Sequence, residues 1–123
     1  MARILIVDDE AGVCSELAEL LEEDRHVVEC AENATQALEK IKTASYDVIF
    51  LDVLMPKIEG SEALVEIKKT VSTPVVIMSA YLAPDIEKRV LNAGAFTCIK
   101  KPFKLREIKS IIERACNQAK VKP

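Results

Sequence analysis

The sequence has little of what membrane proteins and nucleic-acid-binding proteins need. No apolar run approaches the roughly 20 residues that cross a bilayer, and no secretory leader precedes the first strand-like segment. We therefore expect a cytoplasmic chain without membrane contact. The formal net charge is -3 at pH 7, which provides no basic field for a phosphate backbone. We expect no direct nucleic-acid binding by this chain.

Tryptophan is absent and aromatic residues make up only 4% of the chain, so aliphatic side chains must build the core. Cysteine is present, but without the spacing of a metal site. Cys14, Cys30, Cys98 and Cys116 form no Cys-x-x-Cys pair, and His26 is the only histidine. We expect reduced, mostly buried thiols and a structural role for the histidine.

The length of 123 residues suits one domain, because two cores within this length would each be marginal. Half of the residues are hydrophobic and 30% are charged, which is typical of a globular fold. Three of the six residues 118–123 are polar or charged. We predict a domain over residues 1–117 and a flexible tail, or the start of a linker, over residues 118–123.

Strand-like segments of two kinds recur along the chain. Three are continuously apolar and rich in β-branched residues, as expected of central parallel strands covered on both faces: residues 4–7, 48–51 and 75–78. Two others mix polar residues into the pattern, which indicates outer strands: residues 27–30 and 96–99.

Apolar residues at helical spacing follow each strand, around residues 13–21, 34–41, 63–67, 86–90 and 105–115. Pro84 suits the first turn of the fourth helix, and Gly94 suits the left-handed residue that ends it. A βα unit is thus repeated five times. Right-handed crossovers then favour an α/β fold, a (βα)5 flavodoxin-like three-layer sandwich. Its five-stranded parallel sheet would have the strand order 2-1-3-4-5.

Polar residues stand where the strands end. Asp8 and Asp9 follow the first strand, Asp52 the third, Ser79 the fourth and Lys101 the fifth. Because the carboxyl ends of parallel strands share one edge of a sheet, these side chains should surround one pocket.

Clustered carboxylates repel one another unless a cation lies among them, and Mg²⁺ suits such oxygen ligands. We expect Asp9 and Asp52 to bind the ion directly and Asp8 to hold a metal-bound water. Asp52 is the candidate nucleophile, since a carboxylate can accept a phosphoryl group. Lys101 and the Ser79 hydroxyl would stabilise charge on the phosphoryl oxygens.

Four motifs in the correct order resemble the receiver family of response regulators in two-component signalling. They are Ile6-Val7-Asp8-Asp9-Glu10, Leu51-Asp52-Val53-Leu54-Met55-Pro56 with Gly60 four residues on, Met78-Ser79-Ala80, and Lys101-Pro102-Phe103. Each motif alone is weak, whereas all four at the correct spacing are specific. The resemblance covers residues 3–117, so the predicted domain would be a receiver domain.

The resemblance implies that Asp52 accepts a phosphoryl group from a phosphohistidine of a sensor histidine kinase or a histidine phosphotransfer protein. It also implies that Lys101 contacts the phosphate, that Ser79 moves to bond it, and that the Leu54 backbone carbonyl joins the Mg²⁺ ligands. A cis peptide bond between Lys101 and Pro102 is implied as well. The chain would be a phospho-accepting switch and no enzyme in the usual sense, catalysing only its own phosphoryl uptake and slow hydrolysis.

The expected output is a change in the surface formed by the fourth helix, fifth strand and fifth helix. This surface would signal to a downstream effector protein or output domain. A dimer that forms upon phosphorylation is left open by the sequence.

Two departures from the family pattern bear on signalling. Receivers commonly carry an aromatic residue three positions before the family lysine, where this chain has Cys98, so the aromatic half of the usual coupling is absent. Leu54 and Tyr81 stand where many relatives have polar residues that help to admit hydrolytic water. We hypothesise a long-lived phosphorylated state.

Two other functions stay open on the same fold. A phosphatase of the haloacid dehalogenase type also forms an aspartyl phosphate, but it needs a second aspartate two residues after the nucleophile, where Leu54 stands. A phosphate-independent interaction module would be expected to lack a pocket residue, and every one is present. Each acidic residue by itself could instead cap a helix or bond a turn.

Overall fold

The computed structural model describes residues 2–52, 59–80, 83–101 and 103–121. Strands and helices alternate along them, as the sequence predicts. The elements are β1 (Arg3–Val7), α1 (Ala11–Glu22), β2 (Val27–Ala31), α2 (Ala34–Thr43), β3 (Val48–Asp52), α3 (Glu59–Thr70), β4 (Val75–Ser79), α4 (Pro84–Asn92), β5 (Thr97–Lys100) and α5 (Leu105–Val121).

The strands form one parallel sheet in the order β2-β1-β3-β4-β5, which confirms the predicted topology. The central strands β1, β3 and β4 are buried along almost their whole length. The outer strand β2 is mostly exposed or half-buried. Continuous and mixed apolar patterns predict this difference, because central strands of a parallel sheet are covered by helices on both faces.

Alternate residues of each central strand point to opposite faces of the sheet and therefore feed two cores. One core lies between the sheet and helices α1 and α5, and its large side chains include Ile6, Phe50, Met78 and Ile108. The other lies between the sheet and helices α2, α3 and α4, and its large side chains include Leu5, Ile49, Leu64 and Ile77. Within the described ranges, no helix is both long enough and apolar enough to span a membrane.

Short-range signals explain where α2 and α4 begin and end. The Asn33 side chain accepts a hydrogen bond from the Gln36 backbone N–H at 2.9 Å and so caps the first turn of α2. Pro84 lies in the first turn of α4. Gly94, just past its end, has a φ of +111°, which a residue with a side chain rarely adopts. The predicted roles of Pro84 and Gly94 are confirmed.

The last helix, α5, continues to Val121, so the predicted division at residue 117 falls within it. The apolar periodicity ends at Ala115, which is buried, but the polar residues that follow include good helix formers such as Gln118 and Lys120. The flexibility of residues 118–123 stays a prediction, and its last two residues lie outside the described ranges.

The cysteines depart from expectation. Cys14 of α1 and Cys30 of β2 form a disulfide with Cα atoms 6.2 Å apart, so the expectation of reduced thiols is wrong for this pair. Their sequence separation of 16 gave no hint of the pairing, because it depends on how α1 packs over the sheet edge. Cys98 and Cys116 lie outside this disulfide and are half-buried.

His26 has the structural role expected of it. Its Nδ1 atom accepts a hydrogen bond from the Ala2 backbone N–H at 2.9 Å, which links the turn before β2 to the start of β1. Burial lowers the pKa of His26, which favours the neutral ring that this acceptor role requires.

Candidate functional site

The carboxyl edge of the sheet gathers the predicted site residues that the structure describes. Asp8 directly follows β1, Asp52 ends β3, Ser79 ends β4 and Lys101 directly follows β5. Asp8 and Ser79 are buried, which is unusual for polar residues at the end of a strand. The topology therefore places four chemically active side chains at one edge, as expected.

Lys101 joins two of the carboxylates. Its Nζ atom lies 2.9 Å from Asp8 Oδ2 and 3.1 Å from Asp52 Oδ2. The side chains are almost excluded from solvent, with exposed fractions of 0% for Asp8, 3% for Asp52 and 13% for Lys101. Charge-assisted hydrogen bonds in such a dry setting are stronger than the same bonds at a surface.

The backbone after β5 directs the lysine into this pocket. The Lys101 N–H donates to the Ser79 carbonyl at 2.8 Å and so ties the loop after β5 to the end of β4. Lys100 pairs in register with Ser79 and is exposed. Successive side chains of a strand point to opposite faces, so the prediction that Lys100 points away from the pocket is confirmed.

The acidic loop Asp8–Glu10 is held at two points. The Asp8 N–H donates to the Ala31 carbonyl of β2 at 3.0 Å, and Asp8 Oδ1 accepts from the Glu10 N–H at 2.9 Å. One carboxylate oxygen from each of Asp8, Asp9 and Glu10 lies within 4.8 Å of the others. This is close enough for a single cation to contact all three.

Glu10 is a candidate metal ligand that the sequence reasoning did not select. It is the N-cap residue of α1, yet its side chain makes no capping hydrogen bond, so its carboxylate is not used to satisfy the helix end. The sequence signals were its place as the third of three consecutive acidic residues and as the last residue of the first motif.

The two carboxylate oxygens of Asp52 differ in their hydrogen bonding. Oδ2 contacts Lys101, whereas Oδ1 is buried and has no hydrogen-bond partner among the residues that the structure describes. Burial raises the pKa of Asp52 to about 6, with the Lys101 hydrogen bond opposing the change and the negative charge of Asp8 adding to it. Burial also pulls down the pKa of Lys101, but hydrogen bonds to the two aspartates outweigh this and leave it raised.

The donor set fits Mg²⁺. A buried carboxylate oxygen without a donor is costly, and a cation would remove that cost. Four carboxylates of Asp8, Asp9, Glu10 and Asp52 at one strand edge offer the hard oxygen ligands that Mg²⁺ prefers. The predicted Leu54 carbonyl ligand, the side chain of Tyr81 and the predicted cis bond to Pro102 all lie outside the described residues.

Cys98 takes the position where the family pattern has an aromatic residue. It pairs in register with Ile77 of β4 and packs against the core beneath α2, α3 and α4. Burial raises the pKa of its thiol to about 11, and the negative charge of Glu87 adds to the effect. The side chain at this position is therefore small, neutral and half-buried.

Comparison with known proteins agrees with this geometry. The family model of the response regulator receiver domain matches residues 4–113. A transcriptional regulatory protein CpxR homolog from Haemophilus influenzae is 39% identical over 95% of this chain and 53% of its own length. The transcriptional regulatory protein ResD from Bacillus subtilis is 34% identical over 92% of this chain and 49% of its own length.

Solved structures give the same result. A two-component response regulator from Clostridium difficile superposes with a TM-score of 0.90 at 25% identity, covering 97% of this chain and 98% of the other. A CheY-like receiver domain protein from Methanospirillum hungatei superposes with a TM-score of 0.89 at 30% identity, covering 99% of both chains.

The chain belongs to the response regulator receiver domain family. It spans about half the length of the two regulatory proteins compared above. The resemblance identified from the four sequence motifs is thereby confirmed.

Proposed function

We propose that this receiver domain is a phosphorylation switch that accepts a phosphoryl group on Asp52 in an Mg²⁺-dependent reaction. The single observation that carries the proposal is the state of the Asp52 carboxylate. One of its oxygens is held by Lys101, and the other is buried without a hydrogen-bond partner in the described part of the chain. Such an oxygen is poised to bind either a cation or phosphorus.

The chemistry is a transfer between two nucleophiles. An Asp52 carboxylate oxygen attacks the phosphorus of a phosphohistidine, and the new O–P bond forms as the P–N bond breaks. The electron pair of the broken bond stays on the imidazole nitrogen of the donor. The reaction needs positioned positive charge more than it needs a base, because the attacking carboxylate is already ionised.

Lys101 and Ser79 supply charge and a donor from the protein. The Lys101 ammonium is already within 3.1 Å of the attacking group, so it can neutralise charge that develops on the phosphoryl oxygens. Ser79 ends the neighbouring strand, and its hydroxyl can donate to the same oxygens. A bound Mg²⁺, held by Asp9 and Asp52 with Asp8 behind a metal-bound water, would screen the acidic cluster and favour the phosphorylated state.

The proposed partners follow from the family. The donor is a sensor histidine kinase or a histidine phosphotransfer protein, and the setting is the cytoplasm. The signal leaves through the surface formed by α4, β5 and α5, whose contact with an effector protein or an output domain changes when Ser79 responds to the phosphate. Cys98 lies on this surface where relatives have an aromatic residue, so the response would rest on shifts of backbone and helices.

The test is phosphorylation by a small-molecule donor. Wild-type protein is incubated with phosphoramidate or acetyl phosphate and Mg²⁺, and intact mass is measured. We expect the wild type to gain one phosphoryl group and Asp52→Asn to gain none, with loss of the gain when Mg²⁺ is chelated.

The matched control is Asp85→Asn, which removes an exposed aspartate from the first turn of α4. This variant should be phosphorylated as readily as the wild type. An unmodified wild type, or an Asp52→Asn variant that gains the same mass, would show that the proposal is wrong.

A further inference from the structure

Outside the acidic pocket, the structure contains a pair of cysteines, Cys14 and Cys30, that can undergo redox chemistry. We propose that Cys14 and Cys30 form a reversible redox site whose disulfide braces the acidic loop Asp8–Glu10. The redox site stands on the disulfide itself, whereas its consequence for cation binding rests on the function proposed above.

The geometry of the pair favours cross-linking and reversal. The Cα atoms lie 6.2 Å apart, within the range over which two cysteines bridge without movement of the backbone. Cys14 is buried, with an exposed fraction of 3%, whereas Cys30 is exposed on the outer strand β2. Cys30 is thus accessible to reagents. Cys14 is shielded from them and can attack the mixed disulfide that forms at Cys30.

Both ends of the acidic loop adjoin this cross-link. On one side, the Cys14 N–H donates to the Glu10 carbonyl at 3.4 Å in the first turn of α1. On the other side, Cys30 precedes Ala31, whose carbonyl accepts the Asp8 N–H at 3.0 Å. The disulfide therefore connects the helix that follows the loop to the strand that anchors its start.

The covalent chemistry balances as thiol–disulfide exchange with a low-molecular-weight disulfide such as oxidised glutathione. The Cys30 thiolate attacks one sulfur of the reagent, which forms a mixed disulfide and releases one reagent thiol. The Cys14 thiolate then attacks the Cys30 sulfur and releases the second. Two protein thiols give up two protons and two electrons, and the reagent disulfide is reduced to two thiols.

Reversibility rests on the cytoplasmic setting proposed above. In a reducing compartment, cysteine pairs persist as disulfides only transiently, and such pairs act in redox sensing more often than in structure. When a reducing thiol attacks the exposed Cys30 sulfur, the brace between α1 and β2 opens. The loop then keeps its hydrogen bonds but loses the covalent restraint.

The first measurement counts thiols. Protein is equilibrated with oxidised or reduced glutathione, unfolded, alkylated with iodoacetamide and weighed intact. We expect two alkylations after oxidation, at Cys98 and Cys116, and four after reduction. Four alkylations at every ratio, or glutathione adducts in place of the intramolecular bond, would overturn the redox site.

The second measurement is thermal unfolding of both forms. Closing this loop should raise Tm by about 10 °C in the oxidised form relative to the reduced form. The matched control Cys98→Ala should keep this difference, whereas Cys30→Ser and Cys14→Ala should abolish it. Equal Tm values for the two wild-type forms, or a difference that survives in Cys30→Ser, would contradict the cross-link.

The third measurement is Mg²⁺ affinity by calorimetry. A braced loop loses less freedom when it binds, so the oxidised form should bind Mg²⁺ about threefold more tightly than the reduced form. Equal affinities would overturn the bracing role. If Asp52 failed to accept a phosphoryl group, the thiol count and the Tm difference would still stand, so failure of the proposed function and failure of the redox site are distinguishable.

Discussion

The Lys101 Nζ atom lies 3.1 Å from Asp52 Oδ2, although 49 residues separate the two in the chain. The contact is nearly dry, and it leaves the lysine between two carboxylates that would otherwise repel each other. We therefore expect the same ammonium to stabilise the metal-free fold and to serve the phosphoryl transfer proposed above.

Replacing the lysine should destabilise the metal-free protein. Lys101→Met leaves Asp8 and Asp52 buried without their cation, and the free energy of unfolding should fall by about 3 kcal/mol in buffer with a chelator. Urea denaturation measures the change. The neighbouring Lys100→Met removes an exposed lysine and should stay within about 0.5 kcal/mol of the wild type. An equal decrease in the free energy of unfolding of both variants would show that Lys101 has no special stabilising role.

The charge of Asp52 should destabilise the metal-free protein. Its pKa is raised from 3.8 to about 6 by burial. The native state then binds the proton more tightly than the unfolded state, so stability falls as pH rises from 3.8 to about 6, and the full loss is present above that pH.

Asp52→Asn removes this loss. At neutral pH, its free energy of unfolding should exceed that of the wild type by about 1 to 2 kcal/mol, and the two should converge as pH falls to about 4. Urea denaturation across this pH range in chelator tests the prediction. The free energy of unfolding of Asp85→Asn should follow that of the wild type at every pH. A difference in this free energy between Asp52→Asn and the wild type that stayed constant with pH would contradict the explanation.

The residue two positions after Asp52 should set the lifetime of the phosphorylated state. Leu54→Asn places a polar group where relatives often admit hydrolytic water, and we expect loss of the phosphoryl group to become roughly tenfold faster. Intact mass against time measures the rate after the donor is removed. Val65→Asn, an exposed apolar-to-polar change on α3, should leave the rate unchanged. An equal or slower loss in Leu54→Asn would refute the hypothesis of a long-lived state.

The Cys98 thiol should be slow to react in the folded protein. Its pKa is raised from 9.0 to about 11, so the thiolate fraction near pH 8 should fall about a hundredfold. In a Cys116→Ala background kept oxidised at Cys14 and Cys30, alkylation by iodoacetamide should be slower by about that factor than in urea. A folded-state rate close to the unfolded rate would mean that the thiol is more exposed than the structure indicates.

Most of the fold was predictable because the spacing of apolar residues along the sequence differs between strands and helices. Three continuously apolar segments identified β1, β3 and β4 as central, and mixed segments identified β2 and β5 as outer. Single residues marked helix ends, as with Gly94 at positive φ. The convergence of Asp8, Asp52 and Lys101 followed from the rule that parallel strands share one carboxyl edge.

What escaped prediction depends on relative placement of elements, which periodicity does not encode. Whether Cys14 meets Cys30 depends on how α1 is rotated and shifted against the edge of the sheet. Whether the Glu10 carboxylate is available as a candidate ligand depends on where α1 begins and on that carboxylate making no capping hydrogen bond. The extent of α5 depends on helix propensity after the apolar stripe has ended.

The two cores on opposite faces of the sheet would limit how the proposed output surface acts. Helix α4 contributes Val90 to one core, and helix α5 contributes Ile108 to the other, so these two buried side chains lie on opposite faces of the sheet. Strand β5 is the border around which both are arranged. If α4 rearranges as proposed, β5 with Cys98 is the edge strand through which the change would reach α5. Transmission between the two layers would then depend on a strand of four residues.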